Sequence, residues 1–488
     1  MTPWTVHQIL EATGGQLVRG RLTGLASGIA IDSRRLAPGE AFVAIQGTRL
    51  DGHRFLDEAA HRGASCLIVS YLPTPTNGSA SLPTVLVPDT TKALGHLARF
   101  HRRRFTRPVI AVTGSCGKTT TKELIAHLLG SPDAILKTVG TQNNHIGVPL
   151  TLLRVTAEHE MAVVELGSNH PGEIAYLASL AEPDVAVITN VGPVHLEFFG
   201  SLTGVLREKL SLLDALPSEG TAILPGDQLD VCLESSRHLD PRVRRVTFGT
   251  TDRCDLQALD IQRASQGMLI RLRDQISQWA IPLVGVHNVE NTLAALACAW
   301  TVGVPLSEAK QRLGSFQPVP LRSQIVRCHG LTILNDCYNA NPLSFARALE
   351  MLRDLEAHRK VAIVGDMLEL GPYAPSAHQA IGRLATQLGI DAVIAVGEYA
   401  DAVAQGVREG RQDGVTPPPA ASAEGGAAPN GAGPTGERAG GGVTTYRTVH
   451  ELIEGLPTIL QEGDGPLVKG SRKLNLEQVT DFLVERYR

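Results

Sequence analysis

One stretch of this 488-residue chain gathers the residue types needed to hold phosphate: PVIAVTGSCGKTTTKELIAHLL, residues 108–129. An apolar run ends at Thr113, a loop of Gly114, Ser115, Cys116 and Gly117 follows, and Lys118, Thr119 and Thr120 open an amphipathic segment. Glycines let backbone N–H groups close around phosphate oxygens, and a helix N-terminus adds partial positive charge. Lys118 neutralises the outer phosphates and a threonine hydroxyl can ligate Mg²⁺. The full G-x-x-x-x-G-K-[ST] pattern is not met, because Val112 stands where its first glycine would be. Strand, loop and helix in that order still predict a nucleotide site rather than a chance turn. A Cys116 thiolate stabilised by the positive field of such a loop would be open to alkylation, and a bound nucleotide would protect it.

The elements that must position this loop follow from periodicity. Val- and Ile-rich runs at 109–112, 161–166, 184–191, 360–365 and 391–397 read as buried parallel strands. Helical spacing follows most of them, as in Leu124, Ile125, Leu128 and Leu129, in Phe345, Leu349 and Leu352, and in Ile381, Leu384 and Leu388. Alternation of this kind predicts an α/β fold with parallel sheets, whose ligands collect at the carboxyl ends of the strands. The length predicts roughly three domains. Residues 411–442, rich in Gly, Pro and Ala and without apolar periodicity, read as a disordered insertion within the third.

Composition narrows the partners. With 45 Lys and Arg against 49 Asp and Glu, the formal charge is −4, too balanced for a chain whose main ligand is nucleic acid or an anionic membrane. Aromatic residues make up only 4%, which tells against stacking platforms for single strands. The seven cysteines are odd in number and include no Cys-x-x-Cys pair, so neither a disulfide framework nor a zinc ribbon is expected. No apolar stretch approaches membrane-spanning length and no secretory leader is evident, so a cytoplasmic protein without membrane insertion is expected.

Beyond the phosphate loop the chain resembles the Mur ligases. The resemblance rests on TGSCGKTT (113–120), TQNNHIGVPLTLL (141–153), ELGSNHPGEI (165–174), TNVGPVHLEFFGS (189–201), HNVENTLAA (287–295), NDCYNANP (335–342), GDMLELG (365–371) and VKGSR (468–472). IDSRRLAPGEAFVAIQGTRLDGHRF (31–55) is similar to the family's uridine-binding region. NDCYNANP with GDMLELG is the specific part, since the loop alone fits many ATPases. The resemblance implies three domains: a UDP-sugar-binding α/β domain at 1–105, a central P-loop-type ATPase sheet at 106–318, and a Rossmann-like domain at 319–488. It also implies ATP-driven amide bond formation between UDP-N-acetylmuramoyl-tripeptide and D-alanyl-D-alanine, through an acyl phosphate, by a monomeric enzyme using ATP and Mg²⁺.

Roles carry over from the family motif by motif. The resemblance implies Lys118 on the β- and γ-phosphates and Mg²⁺ held by Thr119, Glu165, His195 and a carbamylated Lys209. A carboxylate at a strand end needs a cation, so Glu165 is either a metal ligand or the partner of a basic side chain. Lys209 is followed by Leu210 and Ser211 where the family has Gly and Glu, and it reads either as the carbamylated residue or as a solvated helix lysine beside Glu208. Asn288 and Asn291, three apart on one helix face, suit the adenine edge, or Asn288 caps the helix. Arg322 matches the arginine directed at the γ-phosphate, although Leu321 replaces the usual preceding glycine, and Asp336 matches the ribose carboxylate. Asn143, Asn144, Tyr338, Asn339 and Asn341 fall on the substrate side. Lys469 and Arg472 offer charge for peptide carboxylates or are simply solvated. Ser33, Arg34, Gly47 and His53 are candidates for the nucleotide-sugar diphosphate. His145 stands where the family has Glu. A sister amide ligase of the Mur or folylpolyglutamate type, or an inactive relative that only binds, would be the alternatives.

Overall fold

The computed structural model describes residues 3–72, 81–264, 267–328, 330–412, 437–439 and 442–487. Three main sheets follow one another along the chain. The first has five strands, with Ile29–Ala30, Ala41–Val43, Cys66–Val69 and Thr84–Leu86 parallel and Gln16–Arg19 antiparallel at the edge. Helix Thr90–Arg102, capped by Asp89 through N–H groups of Thr91 and Lys92, leads out of it.

The second sheet has nine strands, and the phosphate-loop strand Val109–Thr113 lies inside it, third from one edge, between Met161–Glu165 and Val185–Ile188, all parallel. All five residues of Val109–Thr113 are buried, as are Val185–Ile188, which explains their unbroken apolar character. Thr221–Pro225, Arg244–Gly249 and the start of Leu256–Ala264 extend the sheet in parallel; Gly267–Leu272 and Gln278–Ile281 then add an antiparallel edge. Parallel strands alone were expected. The difference has a physical cause: the hairpin strands are solvated on one face and alternate, as Gln278–Ile281 does, so they lack the continuous apolar run of a doubly covered strand.

The third sheet has seven strands, with Asp464–Lys469 inserted between Leu331–Asn335 and Arg359–Gly365, so the C-terminal segment returns to its centre. Most of the expected insertion at 411–442 lies outside the described residues. Of the rest, Arg411 and Gln412 end helix Ala400–Gln412, and Glu437–Ala439 pairs antiparallel with Val443–Tyr446.

The cores are distributed unevenly. One buried cluster runs continuously from Trp4 through Val109, Val164 and Leu206 to Val243, so the first two sheets share a core. The clusters of the third sheet are built from Leu331 onward. Arg102 reinforces the first junction: its buried guanidinium donates to the carbonyls of Ala181 (2.8 Å), Glu182 (2.8 Å) and Phe105 (2.7 Å) and pairs with Asp184 at 3.0 Å.

Candidate active site

A cleft of about 610 Å³ opens where the carboxyl ends of the second and third sheets face each other. Its floor is the phosphate loop, held in shape by hydrogen bonds from the neighbouring strand ends. Thr113 Oγ1 donates to the Leu166 carbonyl at 2.9 Å, and Ser115 N and Cys116 N donate to Asn190 O and Oδ1 at 2.9 and 3.0 Å. Thr189 Oγ1 donates to the Cys116 carbonyl at 2.5 Å. Gly117, at φ 81°, starts helix Lys118–Leu129, and a Cβ there would lie 2.1 Å from Asn291 Oδ1. The helix N-terminus therefore points into the cleft with its N–H groups available to an anion. Lys118 folds back to donate to the Gly114 carbonyl at 2.7 Å, and burial pushes its pKa down. Thr120 is buried one turn inside.

Glu165 ends its strand beside the loop. Its Oε1 accepts from Thr119 Oγ1 (3.2 Å) and Asn143 Nδ2 (2.8 Å), while Oε2 is buried with no hydrogen-bond partner. The nearest cation is Lys122, 3.9 Å from Oε2, but its ammonium already donates to the carbonyls of Thr138 (2.8 Å) and Gly140 (3.0 Å) and to Glu123 (2.8 Å). Three donors are thereby used. An orphaned carboxylate oxygen next to a threonine hydroxyl is a donor set that fits a hard cation completed by phosphate oxygens and water. Among the described residues no group of three or more His, Cys, Asp and Glu could hold a metal by itself.

Lys209, on helix Leu202–Leu210, is 1% exposed, so the solvated alternative does not hold. Its Nζ donates to Ser168 Oγ at 2.7 Å, and burial with the charge of Lys118 pushes its pKa down to about 7. The neighbouring Glu208 accepts from Gly172 N (2.7 Å) and Ile174 N (2.8 Å), fixing the segment that carries Ser168. His195 begins helix Leu196–Phe199 and its Nδ1 is hydrogen-bonded to Glu369 of the third sheet.

The opposite wall comes from 285–291 and the third sheet. Asn288 is not the cap of helix Val286–Thr301: Gly285 holds that position, and Asn288 Nδ2 donates to the Val284 carbonyl at 2.8 Å while Oδ1 accepts from Asn291 at 3.0 Å. Asp336 accepts from Lys469 Nζ (2.5 Å) and Ser323 N (2.8 Å). Lys469 is 1% exposed and also donates to the Asn339 carbonyl at 3.0 Å, so it is not a solvated charge either. Arg322 lies over the Tyr338 ring at 4.1 Å, and Tyr338 is hydrogen-bonded to Thr141 across the cleft. Asn341 caps helix Pro342–Arg353 and meets Cys116 Sγ at 3.3 Å. Arg472, with a half-exposed side chain, pairs with Glu477 at 2.6 Å. Asn144 accepts from Ile146 N and Gly147 N, while His145 lines the cleft.

Ser33, Arg34, Gly47 and His53 do not line this cleft. Ser33 donates to Glu58 at 2.8 Å, Arg34 pairs with Asp32 at 2.8 Å, and Gly47 N donates to the Leu50 carbonyl at 2.9 Å. His53 is buried between Asp51 and Ser70 N and stacks on Tyr71 at 4.1 Å. Sequence reasoning missed Lys122, Asn190, Glu208, Glu369 and His287. The last lines the cleft with burial pushing its pKa down to about 3, and only its place before Asn288 in the motif marked it.

Three family models match the chain in order: Mur ligase family, catalytic domain, at 26–102; Mur ligase middle domain at 112–299; and Mur ligase, glutamate ligase domain, at 321–472. The UDP-N-acetylmuramoyl-tripeptide--D-alanyl-D-alanine ligase of Escherichia coli (strain K12) is 38% identical over 410 residues, covering 83% of this chain and 89% of that one. The chain belongs to the Mur ligase family. Among solved Mur ligases, crystal structure I of MurF from Acinetobacter baumannii superposes with a TM-score of 0.85 at 30% identity, covering 99% of both chains. MurF ligase from Thermotoga maritima in complex with ADP gives 0.78 at 27% identity, covering 94% of this chain and 97% of that one.

Proposed function

We infer that this Mur ligase joins D-alanyl-D-alanine to UDP-N-acetylmuramoyl-tripeptide at the expense of ATP, a step of peptidoglycan precursor synthesis. The observation that carries the reading is the facing pair of motifs in one cleft: the phosphate loop with Glu165 below, and NDCYNANP with Arg322 and Lys469 above. The chemistry is charge management. A peptide carboxylate must attack the γ-phosphorus, an anion approaching a polyanion, before an amine displaces phosphate through a tetrahedral intermediate.

On this reading the N–H groups of 114–119 and Lys118 cradle the phosphates, and Arg322 completes the positive ring from the other wall. Mg²⁺, which would neutralise charge between the phosphates, would be held by Thr119 and Glu165, the latter through its orphaned oxygen. His195 and Lys209 flank the same region, and a carbamate on Lys209 would give it an anionic oxygen ligand. Lys209 is suited to that modification because its ammonium is destabilised in its site. Asn288 and Asn291 would line the adenine side and Asp336 the ribose. Asn143, Asn144, Tyr338, Asn339, Asn341 and Arg472 would shape the peptide side, and Ser33, Arg34, Gly47 and His53 the distant uridine diphosphate subsite.

We also place domain boundaries near residues 105 and 318, with the third domain closing before chemistry, in a monomeric cytoplasmic enzyme. Among the described residues no helix is long and apolar enough to cross a membrane. The test is phosphate release from ATP with UDP-N-acetylmuramoyl-tripeptide, with and without D-alanyl-D-alanine. Dipeptide-dependent release is expected. Turnover that ignores the dipeptide and responds to a single amino acid would overturn the assignment.

A further inference from the structure

The contact between His195 and Glu369 joins residues 174 positions apart, one beyond the carboxyl end of strand Val185–Ile188 in the second sheet and one on a loop of the third. Both are non-glycine residues in the left-handed region, His195 at φ 49° and Glu369 at φ 62°. Such conformations persist only where the surroundings impose them, and they cost more than a partly exposed ion pair returns. Stability of the pair therefore does not explain it.

The surroundings on the third-sheet side are built to present the carboxylate. Leu368 N donates to Ser471 Oγ at 3.0 Å, Met367 N to His378 Nε2 at 2.8 Å, and Ser471 N to the Asp366 carbonyl at 2.9 Å. The Asp366 carboxylate in turn accepts from Glu398 N (2.9 Å) and Tyr399 N (3.0 Å). Gly371, at φ 52°, lies against Glu197, where an added Cβ would come within 3.2 Å of the Glu197 side chain. The loop thus seats on the helix that His195 begins, and it carries Glu369 to the imidazole.

We propose that Glu369 is a positioning residue for His195: its carboxylate holds the proton on Nδ1, turns Nε2 toward the cleft as an acceptor, and makes that orientation conditional on docking of the third sheet. A carboxylate on one ring nitrogen fixes the tautomer and the orientation of the ring, which is how a histidine is prepared to meet a cation. Ring orientation and closure are then one event.

The inference rests on the ligase reading, so the unaltered enzyme is assayed first; if it shows no dipeptide-dependent phosphate release, the ligase reading fails independently. With the parent active, Glu369→Ala is expected to lower kcat roughly 10–100-fold with the KM for ATP within about twofold, because orientation is lost and nucleotide contacts are not. Glu369→Gln keeps an acceptor oxygen and should recover most of that loss. The double variant with His195→Ala should be no slower than His195→Ala alone. Mn²⁺ titrated by electron paramagnetic resonance in the presence of a non-hydrolysable ATP analogue should bind Glu369→Ala about tenfold more weakly than parent, independently of turnover. Parent-like kcat and Mn²⁺ affinity in the Ala variant, or losses that multiply in the double variant, would overturn the proposal.

Discussion

Lys209 concentrates the energetics of the site in one side chain. An ordinary lysine is neutral at pH 7 in about one molecule in 2,500, whereas burial brings Lys209 down to about 7, where half the amines are free to react with CO₂. Protein equilibrated with ¹³C-bicarbonate should give a carbamate resonance that is absent in Lys209→Met and fades as pH falls below about 7. The same shift acts on stability. Between about 7 and the ordinary lysine range the unfolded chain holds the proton that the folded one has lost, so this group makes stability rise with pH over that window. In CO₂-free buffer Lys209→Met should therefore melt above parent at pH 6, with the gap narrowing toward pH 10. A parent that keeps the same deficit at pH 10 would contradict the assignment. Cys116 offers a second test at this scale. Its Sγ sits between the phosphate loop and Asn341, so a maleimide adduct would wedge the two walls apart. Alkylation should abolish turnover and ATP should slow it; full activity after complete labelling of Cys116 would count against its placement.

Single residues act here because the elements bring backbone close to side chain. At Gly117 a methyl group would overlap Asn291 Oδ1 at 2.1 Å and sit at a φ of 81° that L-residues avoid. Gly117→Ala should cost on the order of 1–3 kcal/mol in stability, and ATP affinity, read by calorimetry, should fall at least about tenfold. Unchanged affinity would mean the loop does not hold phosphate. This strand, loop and helix were legible in the sequence because every determinant is local: an apolar run, two glycines and a lysine within ten residues. The parallel strands at 109–112, 161–166 and 391–397 were legible for the same reason, since burial on both faces leaves an unbroken Val and Ile signature. Strands that alternate, such as Gln278–Ile281, carry a weaker signal. Lys122 was invisible because a buried lysine looks like a solvated one until Thr138 and Gly140 fold over it. Glu369 was invisible because its partner is 174 residues away, and no periodicity encodes a contact of that span.

At the scale of the whole molecule the two junctions differ in kind. The first two sheets share a continuous apolar cluster from Trp4 to Val243 and are stapled by Arg102, whose removal would take the donor from three carbonyls, two of those contacts buried. The second and third sheets meet chiefly through polar pairs across the cleft: Arg347 with Glu290 at 2.6 Å, Cys116 with Asn341, Thr141 with Tyr338, and His195 with Glu369. Beside them lies an apolar crevice of about 50 Å³ between Met268, Val284, Ile325 and Met351. Polar pairs can exchange for water at small cost, whereas opening a shared apolar core costs about 25 cal/mol for every Å² exposed. We therefore propose that the hinge lies between the second and third sheets and that the first two move as one body. Fluorescent labels placed by non-cysteine chemistry at the exposed positions Ser236 and Arg408 should change their energy transfer when a non-hydrolysable ATP analogue binds, while a pair at Lys92 and Ser236 should not. Replacing Arg102 with Met should loosen the first junction, so that the Lys92 and Ser236 pair broadens its distance distribution even without nucleotide. A change confined to Lys92 and Ser236 on nucleotide binding would place the hinge at the first junction and refute this division of the molecule.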